Sequence, residues 1–543
     1  MGTKYTVEQL NSYSRQELIT LLLSQQEQLD KMNENLERLI EQIRIANQQR
    51  FGRRTEKLSE IPGQLSFFNE AEQLSEAADE TAEPDPDDVL PPKPRKKKQK
   101  GKRDADLKDF PREIHEHAVA EEELDRMLGA GNWREMPVEE CKRLRYEPAS
   151  WTVEEHRTHV YVGTGGDHQD EFVRGDRPKD LLRNSILTPS LGAAIMNAKY
   201  VNSIPINRIE QEFARNGLNL SQQVMAGWII KCSERYLFPL WCRLKEILLG
   251  FAVNQADETP VEVIKDGRPA GSKSYMWVHR SGEFYRERPV VLYEYQKTRA
   301  SSHPTDFYKD YTGILMTDGL GQYHKMAREM DGLTNANCWA HARRSFADAV
   351  KAIGKDNDQA AKLSTAYQAL TRIAAIYKLE GTLKDLSSEE RLRERQASIR
   401  PLVDEFFAWA KERLADTTCL PKGETAKGLN YCVNQEEYLR VFLTNGEVPI
   451  DNSASERSVR PFTVGRKNWV FIYSTKGAEA SAVVYSIAEI AKLNNLNPYY
   501  YLKYLLEELP QRMDVDGHIA PADLDDLLPW SESLPTKCRK ASR

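Results

Sequence analysis

Residues 251–257, FAVNQAD, and 313–318, GILMTD, are short β-rich runs that each end on an aspartate. Two similar runs, YMWVHR (275–280) and RPVVLYEY (288–295), lie between them, separated by loops containing Gly and Pro. Strands followed by helical patterns predict a mixed α/β core, spanning about 250–475. An acid at the C-terminal end of a strand has a fixed backbone and an outward-aimed side chain, which is where α/β proteins usually keep their chemistry. Asp257 and Asp318 are therefore candidate site residues. A third acid, Glu456, stands at a helix start in DNSASERSVRP (451–461). The separations are 61 and 138 positions, so only folding can join the three.

Each reading has a plainer competitor. Ser453-x-x-Glu456 also fits a capping box, in which Glu456 only satisfies a backbone N–H. Asp318-Gly319 is also an ordinary turn. Asp257 is followed by Glu258, which leaves the choice between two acids open. Three gathered carboxylates repel one another, by roughly 4 kcal/mol per pair at about 4 Å and an effective dielectric near 20. The ionised cluster is stable only around cations. Oxygen-only donors suit Mg²⁺ or Mn²⁺, and two such ions can serve phosphodiester chemistry.

Outward from the core, helical patterns occupy 189–200, 205–216, 221–248, 340–415 and 477–508. The stretch 206–232 reads either as a helix-turn-helix, with Gly217 at the turn and Ser221 as N-cap, or as an ordinary helical hairpin. HVYV (159–162) predicts a strand. In residues 1–60, Leu22, Leu29, Leu36 and Ile43 recur every seven positions, with Leu18, Met32, Leu39 and Ala46 in the second seam position. This predicts a self-associating coiled coil over 18–46, about 40 Å long. The alternative is one amphipathic helix packed on its own protein.

The chain has 543 residues, 40% hydrophobic and 29% charged, with a net charge of −6. That charge hides a segregated linker within 61–108. Residues 69–90 carry nine acids and no Lys or Arg, whereas 93–103, KPRKKKQKGKR, carry eight bases and no acid. The basic run is either a DNA contact or a solvated tether. Seven dispersed cysteines argue for a reducing compartment, the cytoplasm, rather than a disulfide framework. No apolar run is long enough to span a bilayer, so no membrane partner is expected.

Several blocks resemble one known family over most of the chain: FGRRTEKL (51–58), LTPSLGAAIMNAKYVNSIPINRIEQEFARNG (187–217), ADETPV (256–261), TDGLGQY (317–323), CWAHARRSF (338–346), DNSASERSVRPFTVGRKNWVF (451–471) and NPYYYLKYLLEELP (497–510). The chain resembles the large transposase of the bacterial insertion sequence sixty-six family. That resemblance implies a ribonuclease-H-like α/β core with a helical insertion at about 347–435 and an N-terminal zipper-like helix, beside the largely helical flanks that the patterns predict at 181–249 and 476–543. It also implies a catalytic and metal-binding triad of Asp257, Asp318 and Glu456. The expected activity is cleavage of the element's DNA ends and transfer of the 3′-OH into target DNA. The competing readings are a metal nuclease without strand transfer and a non-catalytic DNA-binding scaffold. Small companion proteins of the same element are expected partners. The segment 109–180 stands where the family carries a cysteine-rich zinc site, but it offers only Cys141, His156 and His159, so zinc is not expected.

Arg460 lies one helical turn beyond Glu456, fit either for a phosphate or for an intrahelical ion pair. Arg466, Lys467 and Trp469 suit a DNA backbone and an end base, or a basic strand that packs Trp469 inward. Arg343 and Arg344 add two candidate DNA contacts. Beside them, His341 is either near the site or simply buried and hydrogen-bonded. For the N-terminal seam, replacing Leu29 and Leu36 with Glu should dissociate the protein, because the charges would face each other across it. Light scattering that shows an unchanged mass would assign the helix to intramolecular packing.

Overall fold

The structure is a computed structural model that describes residues 14, 16, 151–157, 159–162, 172–174, 179–269, 271–353, 362–415 and 423–540. The heptad seam and the charged linker lie outside these residues. The chain divides into two units, Val89–Pro178 and the remainder. Within the first unit, β1 (Val160–Val162) pairs antiparallel with β2 (Phe172–Arg174). β1 falls on the predicted HVYV strand. All elements below belong to the second unit.

Thr188 caps α1 (Pro189–Met196) by accepting from the Leu191 N–H, and Pro189 sits in the first turn, where its missing donor costs nothing. A π-helical turn, Asn197–Val201, extends α1. The turn between α2 (Ile206–Arg215) and α3 (Gln222–Cys232) uses Gly217 at φ +84°, and the Ser221 hydroxyl accepts from Val224 N–H. The helix expected over 221–248 is not uniform. α3 passes through π-helical residues Ser233–Leu237 into α4 (Phe238–Leu249). Pro239, at the start of α4, cannot donate to the preceding turn, and the wider turn accommodates it.

The core sheet has six strands. β3 (Val253–Lys265), β4 (Lys273–Ser281) and β5 (Val291–Gln296) form an antiparallel meander. After α5 (Ser302–Phe307), β6 (Gly313–Thr317) pairs parallel with β3. After α6 (Gly321–Glu329), β7 (Leu333–Asn337) pairs parallel with β6, giving the order β5-β4-β3-β6-β7. Helices α7 (Trp339–Ile353), α8 (Thr365–Thr382), α9 (Ser388–Glu394), α10 (Arg400–Ala415), α11 (Glu424–Asn434) and α12 (Glu436–Leu439) follow. The chain then returns through α13 (Ser453–Trp469) to β8 (Ile472–Ser474), which pairs parallel with the far end of β3. α14 (Thr475–Leu493) and α15 (Pro498–Arg512) come last among the longer helices.

Three sequence expectations are corrected here. β3 runs eight residues past Asp257 instead of ending on it. β7 and β8 were not foreseen. β7 reads LTNAN, and its polarity conceals a buried strand: Asn335 and Asn337 are 2% and 1% exposed. Asn335 Nδ2 donates to the Leu315 carbonyl at 2.9 Å and to Thr317 Oγ1 at 3.0 Å. These bonds offset the burial of the amide nitrogen, while Asn335 Oδ1 has no partner among the described residues.

Two apolar cores flank the sheet. Adjacent residues of β6 divide between them, Leu315 entering one and Met316 the other, as strand alternation requires. The first core collects α1–α4, β4, β5 and α15 around α14, which is buried on nearly every side from Ala478 to Ala491. A helix apolar all round is an interior helix. The second core gathers Phe346, Phe406, Phe407 and Phe442 around Trp339, whose indole N–H donates to the Leu439 carbonyl at 2.9 Å. No described helix is long and apolar enough to cross a membrane.

Gly446 closes the second core's outer loop. A β-carbon there would stand 1.9 Å from the Ser388 carbonyl oxygen, a backbone atom with no freedom to swing away. Gly446→Ala should therefore destabilise the protein by about 1–3 kcal/mol. An unchanged thermal midpoint would show that the loop yields freely.

Candidate active site

Register places the two aspartates side by side. The parallel β3–β6 ladder ends at the pair Gln255↔Met316; two positions further along the chain stand Asp257, still on β3, and Asp318, just past the end of β6. Neighbouring strands run about 4.8 Å apart. Beyond Gln255, that edge of β3 has no strand partner until β8 joins at Val263. Its carbonyls still need donors. α13 supplies them from both ends. Asn452 Nδ2 donates to the Ala256 carbonyl at 2.8 Å, and Arg466 donates to Thr259 Oγ1 at 3.1 Å and to the Pro260 carbonyl. Pro260, which has no N–H, suits an edge with no ladder.

Asn452 is 1% exposed and joins β3 to the start of α7. Its Oδ1 accepts from Gln255 Nε2 at 3.1 Å, and its backbone N–H donates to Cys338 Sγ at 3.1 Å. The Cys338 N–H in turn donates to the Thr317 carbonyl at 3.1 Å, one residue before Asp318. The chain of bonds thus passes from the neighbour of Asp257, through the residue preceding α13, to the neighbour of Asp318. Glu456 sits in the first turn of α13. The capping-box alternative for Glu456 fails: Asn452 is the N-cap, and the Ser453 N–H is taken by Asp451 Oδ1 at 2.9 Å. The turn reading of Asp318-Gly319 is correct and compatible with a site. Gly319 has φ +85°, Leu320 N–H donates to Asp318 Oδ1 at 3.2 Å, and Tyr431 OH donates to the Asp318 carbonyl at 3.1 Å.

Electrostatics separates Asp257 from Glu258. Burial, then the charge of Glu258, and then those of Asp318 and Glu456 push the Asp257 carboxyl from its ordinary 3.8 up to about 8, against one backbone bond from Glu258 N–H at 2.8 Å. Glu258, buried on the opposite face, has both oxygens engaged, Oε1 by Arg299 Nε at 2.7 Å and Oε2 by Tyr323 OH at 2.8 Å. Burial and Asp318 push its carboxyl up, while Arg299 and Tyr323 oppose them. Asp257 is the acid of the pair with an uncommitted oxygen among the described residues. Arg299 and Tyr323 are site neighbours that sequence reasoning missed; Tyr323 ends the TDGLGQY block, and Arg299 lies in none of the blocks.

The remaining candidates fall on α7 and α13. Glu456 Oε1 lies 3.8 Å from His341 Nδ1 and 4.0 Å from Arg344, and the described residues hold no ion pair between it and Arg460. Arg460, Lys467 and Arg344 are exposed, and Arg343 is half-buried. Arg466 is held on β3, as above. Trp469 closes α13 rather than sitting on a strand. Lys199 Nζ lies 4.2 Å from its ring, which also packs on Tyr485. Burial lowers the His341 imidazole, with Arg344 adding to the shift and Glu456 opposing it.

Compared with known proteins, the chain matches the family model described as "Transposase IS66 family" over residues 184–480, more than half its length. It matches "Transposase C of IS166 homeodomain" over 38–114 and "IS66 C-terminal element" over 486–530. Similar proteins of Sinorhizobium fredii include uncharacterized protein y4qI, 25% identical over 406 residues, which are 72% of this chain and 70% of that one. Uncharacterized protein y4jD is 26% identical over 374 residues, 67% of this chain and 70% of its own.

The Asp257 environment has a measurable consequence. The unfolded chain releases the Asp257 proton near its ordinary 3.8, whereas the folded chain holds it to about 8. The folded state therefore loses stability as pH rises through that window. With chelator present, Asp257→Asn should raise the thermal midpoint at pH 8 and leave it unchanged at pH 4. Equal midpoints at both values would mean that the carboxyl is not crowded by negative charge.

Proposed function

The chain belongs to the IS66 transposase family, and from that premise we propose that it is a DNA transposase working through Asp257, Asp318 and Glu456. The observation that carries this reading is the bonded path Ala256–Asn452–Cys338–Thr317, which converges the neighbours of three acids distant in sequence. The core's strand order supports a ribonuclease-H-like assignment: an antiparallel meander, then two strands parallel to its first.

The donor set fits hard divalent cations. All three candidate ligands are carboxylates, and the upward push on Asp257, from burial and Glu258 first and then from Asp318 and Glu456, would be relieved by a cation. Two Mg²⁺ or Mn²⁺ ions held there would supply activation of a hydroxyl and stabilisation of a leaving oxygen. The protein's contribution is placement. Asp257 stands on β3, Asp318 one residue past the end of β6, and Glu456 in the first turn of α13, a helix anchored at both of its ends. In the first step water oxygen bonds to phosphorus at the element end and the bond to O3′ breaks, leaving a 3′-OH and a 5′-phosphate. In the second step that 3′-OH attacks a target phosphodiester, releasing a target 3′-OH. We assign Arg460, Lys467 and Arg344 to phosphate contact, because they are exposed cations on α13 and α7, whereas Arg457, next to Glu456, is paired with Glu283 at 2.9 Å; Arg343 is a further candidate.

Labelled end DNA, target plasmid and Mg²⁺ test the proposal. Wild-type protein should nick the ends and join them to target. Asp257→Ala, Asp318→Ala and Glu456→Gln should each lower both steps by at least about two to three orders of magnitude while retaining DNA binding. Cleavage without joined product would make the protein a nuclease, and full activity of any variant would remove that residue from the triad.

A further inference from the structure

Glu456 has a neighbour on α7. From α7, His341 presents Nδ1 at 3.8 Å from Glu456 Oε1. That nitrogen is shielded from solvent and has no hydrogen-bond partner among the described residues. A buried polar atom left unpaired costs free energy, and such atoms call for a reason. Two atoms bound to one cation at about 2.1 Å stand about 3–3.5 Å apart, so a shift of a few tenths of an ångström would let both hold the same ion.

Cys338 Sγ belongs to the same group of potential ligand atoms, all within 4.8 Å of one another. Its role is different. Cys338 is fully buried, and its sulfur already accepts the Asn452 N–H that anchors α13. His341 has no such occupation, and α7 positions it rigidly.

We propose that His341 is a metal ligand, its Nδ1 binding the same divalent cation as Glu456. This rests on reading Asp257, Asp318 and Glu456 as a carboxylate metal centre and adds a nitrogen donor to it. An imidazole in the ligand set favours Mn²⁺ and later transition metals over Mg²⁺, so the site should discriminate between ions more than three carboxylates would.

The test uses full-length protein loaded with Mn²⁺ and pulsed electron paramagnetic resonance. Wild type should show coupling to a directly bound imidazole ¹⁴N, and His341→Gln should lose it. Calorimetry on the same variant should show Mn²⁺ affinity reduced by about tenfold or more, since even partners of ligands cost that much. His341→Asp, which restores an oxygen donor, should recover Mn²⁺ affinity without the nitrogen signal, and this separates lost ligation from lost folding. Cys338→Ser should keep the coupling. Mn²⁺ bound without nitrogen coupling, in a site abolished by Asp257→Asn, would overturn the ligand role and leave the carboxylate centre standing. Wild-type protein that binds no Mn²⁺ would overturn both.

Discussion

The architecture turns on a vacancy in hydrogen bonding along one edge of β3. Between the end of β6 at one side and the start of β8 at the other, β3 has no strand neighbour on that edge. Its carbonyls need donors, strictly so at fully buried Ala256 and less so at exposed Pro260, which water can reach. α13 supplies them, with the Asn452 amide at Ala256 and Arg466 at Pro260. Each such bond is worth only about 0.5–1.5 kcal/mol net, but an orphaned carbonyl costs about 1–3 kcal/mol, so the helix has little freedom to sit elsewhere. Because α13 is pinned at both ends, the position of Glu456 follows from backbone satisfaction and not from any attraction between the acids.

Attraction would be the wrong word in any case. Burial first, then the charge of Glu258, and after these Asp318 and Glu456, make Asp257 hold its proton far above its usual range. Local stability is surrendered where several elements are strong enough to enforce it: a parallel ladder, a buried Asn, and a Trp-centred aromatic core directly behind Cys338. Sites that violate local energetic preference while the surrounding structure remains consistent are where function is expected. Glu258 makes the contrast. It has the same charge, adjacent in sequence, but alternation turns it toward Arg299 and Tyr323, and it is spent on structure.

Much of this was legible in the sequence and some was not. The β-rich runs at 251–257 and 313–318 located both aspartates, since apolar strand patterns survive as local signals. β7 escaped because two of its buried positions are asparagines, whose amide nitrogens find partners on β6 and at Gln435, the residue after α11. The extent of β3 escaped because Pro260 reads as a strand breaker, and nothing local announces an edge served by a helix. Whether Ser453 and Glu456 formed a capping box could not be decided locally either; the answer lay in Asn452, whose partners are 114 and 196 positions away. The closeness of His341 to Glu456 is information of the same long-range kind.

The helices from α7 to α12 leave the core and return to it at nearly one point. Trp339 N–H donates to the Ile450 carbonyl at 3.2 Å, and Asn452 N–H reaches Cys338. In polymer terms the excursion is a loop with its neck already tied. The entropy of closing such a loop grows only with the logarithm of its length. Residues can therefore be added to or removed from its outer turns at little thermodynamic cost to the neck, and the distance between the second and third acids along the chain is decoupled from their distance in space. A scaffold of this kind can exchange one appendage for another of different size while the chemistry beneath it stays in place.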